Sequence, residues 1–439
     1  MYQVIQEGLK KLKEKKIIEA LEFFNKLNEN NPYNPDVLFY LGNIYYELND
    51  LDKSIIYFEK SYKNLPDSEI IINNYAITLQ SLGKIKKAKN FFKKLINKNP
   101  NNIKAYYRLF RMNDVDFNKN YLNKIRSLEN STSISLEDKS LINYIFSKIE
   151  KNNNNISQEI EFLDKAHNFI HKSKEKYNLI LINYYLDVLS KKFNEIQIKE
   201  NNNFSNSFSN LSPIFIIGLP RSGSTLVESL LSQNNEIFYS YGESGLIDNS
   251  IRDQIKKKMI AKSTDLEINE KELIDSINNF YSYSGDKNFI DKSLENFFYI
   301  DIILKIFPKA KFIHTYRNRY DAAIGIHQSM LMYLPWAHSI NNILKYIFNY
   351  EKIINYFNKK YPAKILSVSL ENLTFNPEKY TKEIFEFCNL DWNEGILKFY
   401  DNENLKSKSS SFLQIRSEIK KYEKNKYHSY YFLIKNKLI

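Results

Sequence analysis

An α-helical solenoid followed by an α/β domain, a parallel sheet flanked by helices, is the architecture that this 439-residue sequence predicts. Three observations predict it. The first hundred residues repeat with one period, and in the second half short apolar runs alternate with helical stretches. The chain also has only 10 Gly and 10 Pro, well under the roughly 12% of average usage, so most of it forms long regular elements.

The repeat comes first. Pro32, Pro66 and Pro100 are spaced by 34, as are Phe24, Phe58 and Phe92, and Ala20, Ser54 and Ala88, while Gly8, Gly42 and Ala76 keep one phase. Small residues where two helices cross, an aromatic in the second helix and a closing Pro resemble the tetratricopeptide pattern. An unrelated helical bundle would not hold one phase over three copies. The resemblance implies three repeats over 1–102 and a concave groove that takes a peptide or partner helix. From 103 to 200 the period is lost but helical spacing persists, as in LINYIFSKIE and EIEFLDKAHNFI, which predicts a helical extension capping the solenoid. The Asn run 152–155 reads as a turn and 178–190 as a buried helix. His167 and His171 share a helix face, but HNFIH lacks the Glu of a zinc-protease motif, so they read as packing or surface histidines. The polar, low-complexity stretch NNNFSNSFSN predicts a linker over 201–211.

Composition bounds the chemistry. At 43% hydrophobic, with 33 Tyr and 30 Phe, the chain can fill two or three cores and is not disordered as a whole. One cysteine, Cys388, excludes a disulfide framework and a multi-thiolate zinc site. No metal is expected. The amphipathic start MYQVIQEGLKKLKEKK has no secretory apolar core, and no window reaches about 18 uncharged apolar residues. A soluble, cytoplasmic protein without a membrane span is the expectation. A net charge of +12, spread along the chain, favours anionic ligands; no nucleic-acid partner is expected.

After the linker, PIFIIG, NFID, KFIHTY and AKILSVSL read as strands separated by helices. The first of them runs into Gly218-Leu-Pro-Arg-Ser-Gly223-Ser-Thr225, with an amphipathic helix directly behind. Such a turn converges backbone N–H groups on an anionic oxygen cluster; the plain alternative is an ordinary βα turn. A Walker A loop would carry Lys where Ser224 stands, so a nucleoside triphosphate would lack its counter-charge, while Arg221 places a cation elsewhere in the loop. Asp291 as a Walker B acid is the main support for a kinase or NTPase reading.

PRSGSTL behind a strand resembles the 5′-phosphosulfate loop of sulfotransferases that use 3′-phosphoadenosine 5′-phosphosulfate (PAPS). It looks most like the group in which tetratricopeptide repeats precede a domain similar to tyrosylprotein sulfotransferase, here 212–439. The resemblance implies that Arg221, Ser222, Gly223, Ser224 and Thr225 cradle the 5′-phosphosulfate. Glu243, in YGE, stands where the family has its catalytic base, and Lys292, in IDKSLENF, where a lysine contacts the bridging oxygen. Arg317, ending KFIHTY, matches the arginine that binds the 3′-phosphate. In SSSFLQIRSEIKKYEKNKY, Ser411, Gln414 and Arg416 fit the loop that closes over the nucleotide. There Ser411 is implied to stabilise the transition state and Lys426, beside Tyr427, to contact the nucleotide. The pattern is broken at two further positions. A phosphate-binding serine is replaced by Gly325, for which Arg319, His327 or Ser329 would have to compensate, and a tyrosine by Leu370 in the stretch that keeps Glu371.

The activity so implied is transfer of a sulfuryl group from PAPS to an acceptor hydroxyl, a protein tyrosine among the candidates, with PAPS and its desulfated product as nucleotide partners and a peptide or protein in the repeat groove. The alternative is a catalytically inactive repeat scaffold with a degenerate nucleotide site, suggested by Gly325 and Leu370. Neither the acceptor nor the oligomeric state is legible in the sequence.

Overall fold

The computed structural model describes residues 2–113, 119–129, 131, 133–198, 208–234, 236–260, 266–402, 405–409 and 411–435. Three helical hairpins open the chain: α1 (Tyr2–Lys13) with α2 (Ile17–Asn30), α3 (Pro35–Glu47) with α4 (Leu51–Asn64), and α5 (Glu69–Ser81) with α6 (Ile85–Lys98). The periodic residues sit where the helices cross. A Cβ on Gly8 would lie 2.6 Å from the ring of Phe24, and one on Gly42 2.8 Å from Phe58, so each crossing closes on a ring that only a glycine admits. Ala20, Ser54 and Ala88 are fully buried, and the Ser54 hydroxyl donates to Gly42 O at 2.8 Å.

The extension continues with α7 (Ile103–Arg111), α8 (Lys119–Glu129), α9 (Leu136–Asn152), α10 (Ile156–Ser173) and α11 (Glu175–Asn183), then a π-helical turn Tyr184–Leu189 and α12 (Ser190–Lys192). The stretch 178–190, expected as a buried helix, is helical throughout, with this π turn inside it. There Tyr185 OH donates to Asp248 Oδ2 at 2.7 Å, and Tyr184 OH lies 2.8 Å from Tyr299 OH. Residues 201–207 of the expected linker lie outside the described residues. At its end Phe208 is already core, packed 4.9 Å from Phe307.

Among the described residues seven strands follow: β1 (Gln197–Ile198), β2 (Ile214–Gly218), β3 (Phe238–Gly242), β4 (Glu267–Ile268), β5 (Asn288–Asp291), β6 (Lys311–Tyr316) and β7 (Ile365–Ser369). Five form a parallel sheet in the order β3-β5-β2-β6-β7, and β1 pairs with β4. β2 is central and buried on both faces, which explains its unbroken apolar run. Its side chains alternate: Ile214 and Ile216 pack with Ile290, Ile313 and Val368, whereas Phe215 and Ile217 join Phe289 and Phe312 on the other face. Strand order reverses between β5 and β6 around β2, the place where open parallel sheets bind ligands beyond their strand ends.

The solenoid is not a separate arm. One apolar cluster runs from Phe24, Val37 and Leu41 of the repeats into Phe215 and Phe289 of the sheet, and a second joins Phe92 and Tyr107 to Met330 and Phe412. Polar ties reinforce the junction: Asn49 Nδ2 donates to Ser240 O at 2.8 Å and Tyr239 OH to Leu48 O at 2.7 Å. No helix among the described residues is long and apolar enough to cross a membrane.

Candidate functional site

β2 ends at Gly218 (φ +146°), where a Cβ would lie 2.2 Å from Thr315 O; only glycine lets β2 and β6 run this close before the turn. Arg221 takes a left-handed conformation (φ +68°), and Gly223 (φ +93°) caps α13 (Ser224–Leu231) directly beneath Leu370. The first amides of α13 have no intrahelical acceptor. They open on a cavity of about 560 Å³ lined by Gly223, Ser224, Thr225 and Leu226. The Ser222 side chain is not part of it. Its hydroxyl donates to Leu219 O at 2.6 Å and lies 2.9 Å from Thr315 Oγ1, so only its backbone is left for a ligand.

Glu243 follows β3, lines the cavity and keeps 56% of its side-chain surface open. Lys292, just beyond β5, is 1% exposed beneath it. Its Nζ lies 2.5 Å from Glu243 Oε1 and 3.5 Å from Glu228 Oε2. Burial works against the ammonium, but the two carboxylates outweigh it and push its pKa up to about 12. The same pairing overcomes the burial penalty on Glu243 and holds its carboxyl below the ordinary range. Lys292 therefore meets the cavity through Glu243.

Asp291 turns inward. It accepts from Tyr281 OH and Ser293 N, both at 2.8 Å, and from Asn296 Nδ2 at 3.1 Å and Ser244 Oγ. With its lone pairs so engaged, it has no geometry for a Walker B acid, which removes the main support for an NTPase.

Across the cavity, Arg317 extends from the end of β6. It donates from Nη1 to Arg221 O at 3.1 Å and from Nη2 to Tyr422 OH at 2.6 Å, and Asp321 lies 3.8 Å away. The rings of Tyr422 and Tyr427 bracket its guanidinium at 4.9 and 5.2 Å. Its Nε is buried with no hydrogen-bond partner. Arg221 reaches the late loop, donating to Ser411 Oγ at 2.5 Å and Gln414 Oε1 at 3.2 Å. Glu243, Arg221, Ser224, Thr225, Arg317, Ser411 and Lys426 thus surround one space, although more than two hundred positions separate Arg221 from Lys426.

The residues expected to compensate for Gly325 point elsewhere. Arg319 pairs with Glu351 at 2.8 Å, the Ser329 hydroxyl donates to Gly325 O, and His327 stacks on His167. What stands beside Gly325 is Arg317 Nη1 and the Tyr427 hydroxyl, each 3.5 Å from where a Cβ would be. Leu370 lies on the cavity wall, and Glu371 accepts from Asn318 N and Ser369 Oγ, a capping role. Arg416 is absent from the cavity; it binds the carbonyls of Phe412, Leu405 and Ser81. His167 is buried between His338 and His327 O, and no group of three or more His, Cys, Asp or Glu able to hold a metal ion occurs among the described residues.

Among the lining residues that escaped the sequence reading are Glu295, Leu331, Tyr333 and Leu334. Burial, with Asp248 and Glu243 nearby, pushes the Glu295 carboxyl up to about 7. The one available signal was MLMYLP, an apolar run too short for a strand and outside the helical period.

Residues 213–394 match a family model described as the sulfotransferase family, and 35–68 and 74–102 each match a tetratricopeptide-repeat model. The chain therefore carries a sulfotransferase-family domain behind tetratricopeptide repeats. A curated relative from Aquifex aeolicus (strain VF5), described as an uncharacterized protein, is 24% identical over 383 residues, covering 82% of this chain and 48% of its own length. The chain spans about half the length of that relative. Similar solved structures include the sulfotransferase domain of the Synechococcus PCC 7002 olefin synthase (19% identity, TM-score 0.36, 53% of this chain and 91% of that one). A sulfotransferase from Mycobacterium avium (10%, TM-score 0.32, 66% and 88%) and the tetratricopeptide protein YrrB (16%, TM-score 0.32, 38% and 84%) are also similar. At these scores the weight falls on the family models and on the cavity itself.

Proposed function

We propose that the chain transfers a sulfuryl group from PAPS to an acceptor hydroxyl, with a tyrosine phenol as the acceptor to try first. One observation carries this reading: the first turn of α13, the Arg317 side chain and the open carboxylate of Glu243 line a single cavity. Two anion-seeking ends and a base are what a bisphosphorylated nucleotide and a hydroxyl nucleophile require.

On this reading the amides of Ser224, Thr225 and Leu226 hold the 5′-phosphosulfate oxygens, and the Arg317 guanidinium holds the 3′-phosphate. Glu243 accepts the acceptor's proton as its oxygen bonds to sulfur, and the bond between sulfur and the 5′-phosphate oxygen breaks. Lys292 keeps Glu243 ionised and, as that carboxylate takes up the proton, is freed to offset charge on the leaving phosphate. Arg221 and Ser411 close the cavity over the sulfuryl group, and Lys426 adds charge at the nucleotide end. The cytoplasm is the compartment we assign, and a peptide in the repeat groove the partner.

The scaffold alternative has one observation in its favour: Lys292 is locked between two carboxylates and makes no direct contact with the cavity. Calorimetry with adenosine 3′,5′-bisphosphate and a labelled-sulfate transfer assay separate the two. The transferase reading expects binding that is lost in Arg221→Ala and, in Glu243→Gln, transfer reduced by about 10²–10⁴ with nucleotide binding retained. Tight binding with no transfer to any phenol, alcohol or glycan would leave the scaffold.

A further inference from the structure

Resting on the transfer reading, we propose that His167, on α10 of the helical extension, is a positioning residue for the acceptor: it latches both ends of the segment 328–337, whose Leu331, Tyr333 and Leu334 form the acceptor's wall of the cavity.

The latch is made of direct contacts. The segment leaves the helix Arg319–His327 and runs into the 3-10 turn Pro335–His338. At its start, His167 Nε2 lies 2.9 Å from His327 O, and the two rings stack with centroids 4.3 Å apart. At its end, His167 Nδ1 lies 2.9 Å from His338 Nδ1. A carbonyl only accepts, so Nε2 carries the proton, and the neutral ring leaves Nδ1 to accept from His338 Nδ1–H. Burial first, then the neighbouring His327 and Lys148, hold the His167 imidazole well below its ordinary range, and burial pushes His338 down to about 3. One neutral ring thus ties two points of the chain.

The extension also grips the first residue of the segment. Lys148 Nζ donates to Gln328 O and Lys151 Nζ to Gln328 Oε1, both at 2.6 Å, while Gln328 Nε2 donates to the buried Glu159 at 3.1 Å. Lys148 and Lys151 belong to α9 and Glu159 to α10, so the catalytic domain does not build this wall alone.

The packing of the segment puts it on the acceptor side. Leu331, Tyr333 and Leu334 line the cavity. Trp336 stacks on Tyr346 at 3.7 Å, and Tyr346 packs against Phe297 and Phe298 of the 3-10 turn Leu294–Tyr299, each 6.2 Å away. That turn follows Lys292, the partner of Glu243, and brings Leu294 and Glu295 to the cavity. The segment is therefore built against the wall that carries the base. Between its fixed ends Leu334 N donates to Leu331 O at 3.0 Å, a turn that leaves Tyr333 93% exposed. Two leucines and an uncovered phenol ring suit an acceptor with an aromatic body. A surface carried on a loop keeps its geometry only where supporting bonds fix the ends, and His167 supplies one at each.

The test is a split between KM, kcat and nucleotide binding. His338 keeps part of its surface open, so the latch can be cut there without emptying the core. With 4-ethylphenol as the acceptor, His338→Leu is expected to raise KM about tenfold, the effect of one buried hydrogen bond, and to leave kcat and the Kd of adenosine 3′,5′-bisphosphate within about twofold. His338→Asn, whose amide NH2 stands where Nδ1–H does, should recover most of the loss. Tyr333→Ala should raise KM in the same way. Long-range ¹H–¹⁵N NMR of the wild-type imidazoles, which needs no variant, should show His167 as the neutral Nε2–H tautomer at pH 6. An unchanged KM in His338→Leu, a His167 protonated at Nδ1, or KM, kcat and Kd moving together with the melting temperature overturns the latch and leaves the transfer reading standing. Nucleotide binding by the wild-type chain without transfer to 4-ethylphenol overturns the assignment of a phenolic acceptor, and this inference with it.

Discussion

Arg416 offers a direct measure of how far the nucleotide site depends on the repeats. Its side chain lies against Gly83, at the turn after α5, and its guanidinium donates to Leu405 O at 2.8 Å, to Ser81 O at 3.3 Å and to Phe412 O. Ser81 belongs to the third hairpin, and Leu405 and Phe412 bracket the segment that brings Ser409 and Ser411 to the cavity. Arg416→Ala removes one well-formed charge-assisted bond and two poorer ones. Charge-assisted bonds contribute about 1.5–3 kcal/mol each, and water repairs part of the loss at a half-exposed site. A net cost of about 2 kcal/mol, borne by the closing segment, corresponds to roughly a 30-fold rise in the Kd of adenosine 3′,5′-bisphosphate. Calorimetry reads that Kd directly. Thermal unfolding should move little, because the large apolar clusters are untouched, and Arg416→Lys should recover only part of the affinity, since a single ammonium cannot span the carbonyls. A Kd within twofold of wild type in Arg416→Ala would show that the segment closes without its anchor on the repeats.

Two further outcomes follow from the geometry. Glu295 has a carboxyl pKa near 7 in the folded chain, well above its unfolded value, so the folded state binds the extra proton. Stability from this group is full below about pH 4.5 and is lost as pH rises through 7; Glu295→Gln should therefore raise the melting temperature at pH 8 more than at pH 5, and an equal effect at both would refute the assignment. At the second hairpin, Gly42→Ala puts a methyl 2.8 Å from the Phe58 ring and should cost about 1–3 kcal/mol by overpacking in urea unfolding, despite alanine's better helix propensity.

The parts of the molecule that the sequence foreshadows are those written in short-range spacing. A residue every 34 positions marks each helix crossing because Gly8 and Gly42 must admit a ring at the same height in the first two hairpins, a phase that Ala76 keeps in the third. The short unbroken apolar run of β2 and the glycines at 218 and 223 disclose a strand, a tight turn and a helix start, since backbone geometry there depends on residues a few positions away. The roles of single side chains were harder to read. Ser222 and Ser224 are two residues apart in one loop, yet one hydroxyl turns under the sheet and the other side chain lines the cavity. Lys292 reads as a residue meeting the ligand but is sealed beneath Glu243.

The sequence by itself thus determined the two architectures and the loop that joins strand to helix. Tertiary structure decided which charges remain unpaired. Lys292, Lys408 and Arg416 are met by groups of the chain, whereas Arg108 has no ion-pair partner among the described residues and the Nε of Arg317 no hydrogen-bond partner. The physical reason is range: a turn or a helix crossing is set by neighbours in the chain, but the compensation of a charge depends on groups brought from hundreds of residues away, and only packing the repeats against the sheet determines which of them arrive.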